Sequence, residues 1–444
     1  MRGVTEHYLT HPLDETSRGR LAERGLTLSL VDPEDVDARN AWFQADVRGF
    51  LGGRASAERL DEARDYQADR RTTGVHDPRV GAVPVATSQG WIAELTLPGL
   101  TTVPSWAISS VTVAPTHRRL GIATAMLEAE LRTASALGLP VAVLTVSEST
   151  IYHRFGFGPA TWLAGFEIET KRERWRGRPA SGSLRFVEPE EFRETGRAVL
   201  DRARRARVGE IEKSRYLADR LTGPLASNPK KDDHRVVRFD DAAGECQGFV
   251  VYTVAGNDED FAMAILTVQH LVALTDDAYL ALWRFLVEHD LVGIVRTFTT
   301  AVDEPLPHLL TDFRRAKQVW LEDHLWARVL DVPAALAARR YERDGSVVLR
   351  VDDPLGFAAG VFRLDVTGGV GTVTRLEPAV PTDAGTTDAG GVPAVDLAVT
   401  ALGSLLLGGM SAGDLALRGE LTGDVALVDA LFRTARPPHL GSWF

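Results

Sequence analysis

The sequence predicts an α+β protein of three domains, with mixed sheets flanked by helices, on three observations. Its 444 residues, 44% of them hydrophobic, suit two or three cores by length. A unit of strand, glycine turn, helix and strand over residues 106–146 is echoed in the same order over 185–303. From Pro305 onward, β-branched runs alternate with one apolar helix, the mark of a separate α+β domain.

Residues 1–25 are polar, contain Pro12 and Gly19, and read as an irregular arm. His7 and His11 have the i, i+4 spacing of a helical metal pair, but no third ligand accompanies them and Pro12 follows at once, so no metal is expected.

The first domain is drawn at 26–180: a strand, helices, an irregular polar stretch from Thr72 to Pro78, then strands. S-S-V-T-V-A-P ends the run that begins at Trp106, and Pro115 stops it. Ala123, Leu127, Leu131 and Ala134 then repeat at helical spacing until Gly138 and Pro140, and P-V-A-V-L-T-V reads as a buried strand. Between strand and helix lies Arg118-Arg119-Leu120-Gly121-Ile122-Ala123. A helix N-terminus leaves amides unpaired and partly positive, and small residues such as Gly121 and Ala123 let a phosphate reach them. The hexapeptide alone is common; its place between strand and helix gives it meaning.

A basic linker, K-R-E-R-W-R-G-R-P, marks the boundary near 180. The second domain, 181–303, has helical stretches through Arg204 and Tyr216 and strands such as G-F-V-V-Y-T-V. Where a second phosphate loop belongs, Asp276 and Asp277 stand instead, and acids there repel pyrophosphate. This domain is expected to lack a cofactor. The third, 304–444, has strands S-V-V-L-R-V and F-A-A-G-V-F-R-L-D-V, a Pro/Thr/Asp/Gly loop at 379–393 and a helix around Leu397 to Leu407.

A net charge of −11 weighs against sequence-independent nucleic-acid binding and accords with cationic substrates. One cysteine, Cys246, forms no disulfide framework and suits a reducing cytoplasm. No signal-peptide core or run of about eighteen apolar residues is present, so no membrane insertion is expected.

Two motifs could carry chemistry. S-E-S-T-I-Y-H-R-F-G-F-G follows the second strand of the unit, which places the phenol of Tyr152 near the strand end, where it can protonate a thiolate of similar basicity. G-M-S-A-G, centred on Ser411, matches a hydrolase nucleophile elbow with Asp424, Asp429 and His439 following. A helix end precedes it rather than a buried strand, so the hydrolase reading is set aside. The chain ends on Trp443 and Phe444, which would expose much apolar surface if free.

V-T-V-A-P-T-H-R-R-L-G-I-A and S-E-S-T-I-Y-H-R-F-G-F-G-P-A-T together resemble the Eis (enhanced intracellular survival) family of GNAT acetyltransferases. L-P-H-L-L-T-D, V-P-A-A-L-A-A-R and L-G-S-L-L-L-G extend the likeness from about residue 26 to the end. The resemblance implies tandem GNAT-like domains, the second without cofactor, and a C-terminal domain similar to sterol carrier proteins. It implies acetyl-CoA as donor, a homohexamer, and primary amines as acceptors: aminoglycosides, with polyamines or lysine side chains as further candidates. By the same resemblance, the backbone of Val111, Thr112 and Val113 pairs with the pantetheine arm. Arg118 and Arg119 lead the phosphate loop, and the amides of Leu120, Gly121, Ile122, Ala123 and Thr124 hold the pyrophosphate. Ser147 and Glu148 flank the cofactor, Tyr152 is the general acid, and the α-carboxylate of Phe444 is the general base. The resemblance is weakest around D-V-R-G-F-L-G-G-R and at Trp443, where family members carry more acidic residues. The competing reading is a non-catalytic assembly that carries an apolar ligand in its last domain.

Overall fold

The computed structural model describes residues 8–171, 174–376 and 391–444. His7 and most of the 379–393 loop lie outside the described residues.

In chain order the elements of the first sheet and its helices are α1 (Glu15–Ala22), β1 (Thr27–Leu30), α2 (Val36–Gly49), α3 (Ala57–Tyr66), β2 (Arg71–His76), β3 (Ala86–Thr96), β4 (Thr102–Val113), α4 (Ile122–Ala136), β5 (Val141–Thr145), α5 (Ser149–Tyr152) and β6 (Gly158–Pro159). Next come β7 (Trp162–Glu169), β8 (Ser183–Val187), α6 (Pro189–Arg204), α7 (Arg215–Thr222), β9 (His234–Asp240), β10 (Cys246–Ala255), β11 (Ala264–Ala273), α8 (Asp276–Val287), β12 (Val292–Thr300), β13 (Ala316–Asp323), β14 (Leu325–Val329) and α9 (Val332–Ala338). The last unit has β15 (Gly345–Asp352), β16 (Gly360–Thr367), β17 (Val370–Leu376), β18 (Ala394–Ala398), α10 (Val399–Leu405), α11 (Ala412–Leu417), β19 (Leu421–Gly423) and α12 (Val425–Phe432).

Three mixed sheets result, ordered β1-β2-β3-β4-β5-β14-β6, β13-β7-β12-β11-β10-β9-β8 and β17-β16-β15-β18-β19. The fold is therefore α+β, as expected, but the sheets do not follow the boundaries at 180 and 303. Strand β7, upstream of 180, pairs with β12 and β13 in the second sheet, and β14, downstream of 303, pairs with β5 and β6 in the first. Both are apolar runs that fit either interior, so periodicity could not assign them to a sheet.

Three local expectations are corrected. The arm before residue 26 is not irregular: Asp14 caps α1 by accepting from the Ser17 amide at 2.7 Å, and Leu21 is buried against α4 residues such as Met126. Burial of that leucine contributes about 1.5–3 kcal/mol, which offsets the weak helix propensity of E-T-S-R-G-R. Thr72 to Pro78 is not a loop either, since Arg71–His76 forms β2 between β1 and β3. Its threonines face neighbouring strands, and Thr73 Oγ1 lies 2.6 Å from Ser88 Oγ. The helix placed around Leu397 begins later, because Ala394–Ala398 pairs with β15 as β18 before α10 starts at Val399.

α10 packs across β14 and β6 and so fixes the third domain on the first sheet. A β-carbon at Gly403 would stand 2.2 Å from the Ala327 carbonyl oxygen, so only glycine permits that approach. Beneath it Arg328 and Asp353, both fully buried, join through two 2.7 Å hydrogen bonds.

Candidate active site

The site begins with a failure of pairing. β4 and β5 run parallel from Ser105 opposite Val141 to Ile108 opposite Leu144, and there the ladder stops while β4 continues to Val113. The cause lies on the other edge of β4. Between the pairs Gln89 with Ser109 and Thr87 with Thr112, β4 has two residues and β3 one, a bulge with Ser110 at φ 56°. A bulge raises local twist, so the strand swings away from β5 and opens a wedge beside Val111.

At the far end of β4 the chain turns through Arg119 (φ 64°) and Gly121 (φ 73°) into α4. No side chain caps the first amides of α4, and Arg118, Arg119 and Gly121 are exposed. Gly121 matters twice: the left-handed φ favours glycine, and its bare α-carbon lets a phosphate close. A β-carbon there would lie 3.9 Å from Arg24, so the segment after α1 adds a third guanidinium to the loop. His117 braces the turn from below, with Nε2 3.1 Å from Asp77 Oδ2.

On the other side of the wedge is a cavity of about 380 Å³. Val111, Ser147, Tyr152 and Phe444 line it together; Thr112, Val113, Glu148 and the 118–124 loop do not. Val111 and Ser147, expected beside the cofactor, therefore share a cavity with Tyr152 and Phe444, the expected acid and base, and the rest of the expected cofactor set lies outside it. Tyr152 ends α5 with 7% exposure, its ring edge-on to Phe157 at 6.3 Å. Burial, then the charge of Glu148, push its phenol above the ordinary value, so it remains protonated at neutral pH.

Phe444 arrives from 299 positions away in sequence, guided by a ladder of contacts along the tail. The His439 amide donates to the Val208 carbonyl at 2.8 Å, and the Gly441 amide to Glu210 Oε1 at 2.9 Å. His324 Nε2 meets the Ser442 carbonyl at 2.9 Å, and Arg220 donates to that of Trp443 at 2.6 Å. Thr145 Oγ1 finally donates to a terminal oxygen of Phe444 at 3.0 Å. The Phe444 ring stands edge-on to Trp91 at 5.6 Å. Phe444 is thus docked and half-buried, whereas Trp443, the other terminal aromatic, stays 40% exposed.

Three residues near the site escaped sequence reasoning. Asp46 of α2 lines the cavity at 9% exposure, with Oδ1 unpartnered. Burial pushes its carboxyl up to about 6, against the pull of Ser110, Arg70 and Arg59. The Arg70 guanidinium carbon stands 4.0 Å over the ring of Trp91, and Arg24 approaches Gly121. Asp46 opens the segment D-V-R-G-F-L-G-G-R; neither arginine has a spacing signal, because buried Arg70 and exposed Arg24 read alike in sequence.

In the second sheet β11 and β12 repeat the parallel pair and α8 repeats the helix, but Thr275 caps it through the Ala278 amide and Asp277 pairs with Arg178. An anion finds no welcome there. Ser411 caps α11, its Oγ 3.0 Å from the Asp414 amide and 2.8 Å from Asp414 Oδ2, with no strand leading into it. It is not a nucleophile elbow.

Comparison with known proteins matches residues 33–160 and 209–356 each to an acetyltransferase (GNAT) domain, and 332–441 to a sterol carrier protein domain. An uncharacterized N-acetyltransferase of Streptomyces avermitilis is 36% identical over 432 residues, 93% of this chain and 99% of its own. N-acetyltransferase Eis of Mycobacterium tuberculosis is 36% identical over 355 residues, 77% of this chain and 81% of its own. Among solved structures, Eis1 from Mycobacterium abscessus superposes with a TM-score of 0.77 at 29% identity, covering 94% of this chain and 100% of that one.

Proposed function

The chain belongs to the Eis family of GNAT N-acetyltransferases, and on that premise we propose that it moves the acetyl group of acetyl-CoA directly onto a primary amine, with the Phe444 carboxylate as base and Tyr152 as acid. Membership makes it an enzyme and displaces the non-catalytic reading. The observation that carries the proposal is that Val111, Tyr152 and Phe444 face one cavity where β4 and β5 part.

The donor fits the opposite side of the wedge. The uncapped amides of α4, Arg118, Arg119 and Arg24 suit the pyrophosphate, and the unpaired edge of Val111 to Val113 suits the pantetheine amides. A protonated amine cannot attack, so the Phe444 carboxylate removes its proton, directly or through water. A carbon–nitrogen bond then forms at the thioester carbonyl, whose oxygen gains negative charge that a strand amide of Val111 to Val113 can stabilise. The carbon–sulfur bond breaks, and Tyr152 gives its proton to the departing thiolate. Direct transfer requires no enzyme nucleophile.

The cationic acceptors of the resemblance, aminoglycosides, polyamines and lysine side chains, belong to the same proposal at the level of the reacting amine. We also propose a cytoplasmic, self-associating enzyme, with a hexamer expected from family likeness. Exposed Val319 and Leu321 on edge strand β13, and exposed Phe298 stacked on Trp320 of the same strand, offer apolar surface for assembly. No helix among the described residues is long and apolar enough to cross a membrane.

The test is thiol release from acetyl-CoA across a panel of amines, with mass spectrometry of the product. Acetylated acceptor and free CoA in equal amounts are expected. An acetylated enzyme accumulating without acceptor would refute direct transfer.

A further inference from the structure

We propose that the acceptor carries, besides its amine, an anionic group, a carboxylate or phosphate, and that Arg70 receives it with Arg59 and Arg220 standing at the entrance. The inference rests on the acetyltransferase reading and narrows it.

Arg70 is 9% exposed and lines the 380 Å³ cavity. A guanidinium so buried ordinarily has a carboxylate against it, because an unpaired charge in a dry site is costly. Arg70 hydrogen-bonds only to neutral partners, Gln89 Oε1 at 3.4 Å and Ser214 Oγ at 3.1 Å, and stands over the face of Trp91, while its Nε has no partner; Asp69 and Asp46 act on it electrostatically without forming an ion pair. Arg59 lies over Phe43 and Arg220 donates to the Trp443 carbonyl. Among the described residues none of the three forms an ion pair with a carboxylate.

These arginines face few acids. Asp46 and the terminal carboxylate of Phe444 share the cavity wall, and Asp69, next to Arg70 in sequence, pulls on it electrostatically without lining the cavity. A neighbouring cavity of about 470 Å³ shares Arg59 and Arg220, and its one acid, Glu62, is engaged by Ser227. Three guanidiniums thus oppose two carboxylates around the reaction chamber. A polycation would bring further positive charge against them, whereas a zwitterion divides correctly: amine toward Asp46 and Phe444, anion toward Arg70. The planar guanidinium fork matches carboxylate and phosphate oxygens, and in a water-poor cavity such a pair is strong.

The experiment uses the full-length enzyme and four acceptors of similar length: cadaverine, pentylamine, 5-aminopentanoate and 3-aminopropyl phosphate. Wild-type kcat/KM should favour an anionic acceptor over cadaverine by at least about tenfold, and the better of the two anions identifies the group. Arg70→Lys should keep that order, while Arg70→Met should abolish it mainly through KM. Arg220→Gln, at an exposed position, should weaken it in the same direction; because Arg220 also holds the Trp443 carbonyl, the effect is read from the ratio of anionic acceptor to cadaverine and not from the rate itself. Calorimetric binding of 5-aminopentanoate and cadaverine to the CoA-loaded protein separates the two readings. Anion-selective binding lost in Arg70→Met, with no acetylation of any amine, would uphold the anion site and refute the acetyltransferase assignment. Preference for cadaverine, or equal binding of both probes, would overturn the proposal.

Discussion

Thr145 Oγ1 donates to a terminal oxygen of Phe444 at 3.0 Å, so the end of β5 and the end of the chain meet at one point. An α-carboxylate exists only where the chain stops. Two extra residues beyond Phe444 would replace it with a neutral amide and should lower kcat/KM roughly 10²- to 10⁴-fold, the usual value of a general base. Unchanged turnover in the extended protein would exclude Phe444 from catalysis.

Tyr152→Phe removes one buried hydroxyl and leaves the ring against Phe157. Turnover number should fall about 10²-fold or more, with KM for acetyl-CoA little altered. If single-turnover rates with and without the hydroxyl coincide, another group protonates the thiolate.

Gly121→Val should act on the donor alone. A β-branched side chain at φ 73° costs roughly 1–2 kcal/mol and obstructs the amides of α4. The expected result is a large rise in KM for acetyl-CoA, a small one for the acceptor, and a slightly lower melting temperature. An unaltered donor KM would place the pyrophosphate elsewhere.

Acid should loosen the tail. Burial holds His324 and His439 down at about 4 and His270 at about 3, against 6.5 in the unfolded chain. Below pH 6.5 the unfolded chain takes up protons that the folded one refuses, so stability present above 6.5 is lost as pH falls toward 4. Asp46 and Glu304, raised by burial to about 6 and about 7, act oppositely over part of that window but are fewer. Urea midpoints measured from pH 8 to 4 should be level above 7 and then decline; a level profile throughout would contradict the assignment.

Asp353→Ala should destabilise the protein by about 3–5 kcal/mol, since it strands the buried Arg328 charge. Arg328 Nε also donates to the Phe155 carbonyl at 2.8 Å, three residues beyond Tyr152, so activity should fall alongside. Thermal melts and thiol-release rates on the same preparation check both effects.

What the sequence made legible was local. The strand, Gly121 turn and α4 follow from spacing and punctuation over some forty residues, and Tyr152 follows from its distance to a strand end. The docking of Phe444 was signalled by two terminal aromatics and specified by resemblance. Asp46 and Arg70 were invisible, because both lie in segments without clear apolar period and gain their character from burial supplied by distant elements. The same holds for β7 and β14, whose side chains suit either sheet and whose placement depends on competition among edges.

That exchange of strands orders events during synthesis. The first sheet lacks β14 until residue 329 has been made, and the second needs β7 from upstream, so neither can close as a separate unit on the ribosome. A cut in the basic linker near residue 180 would therefore release two open-edged fragments rather than a working catalytic half, and recombining them would amount to rebuilding both sheets at once.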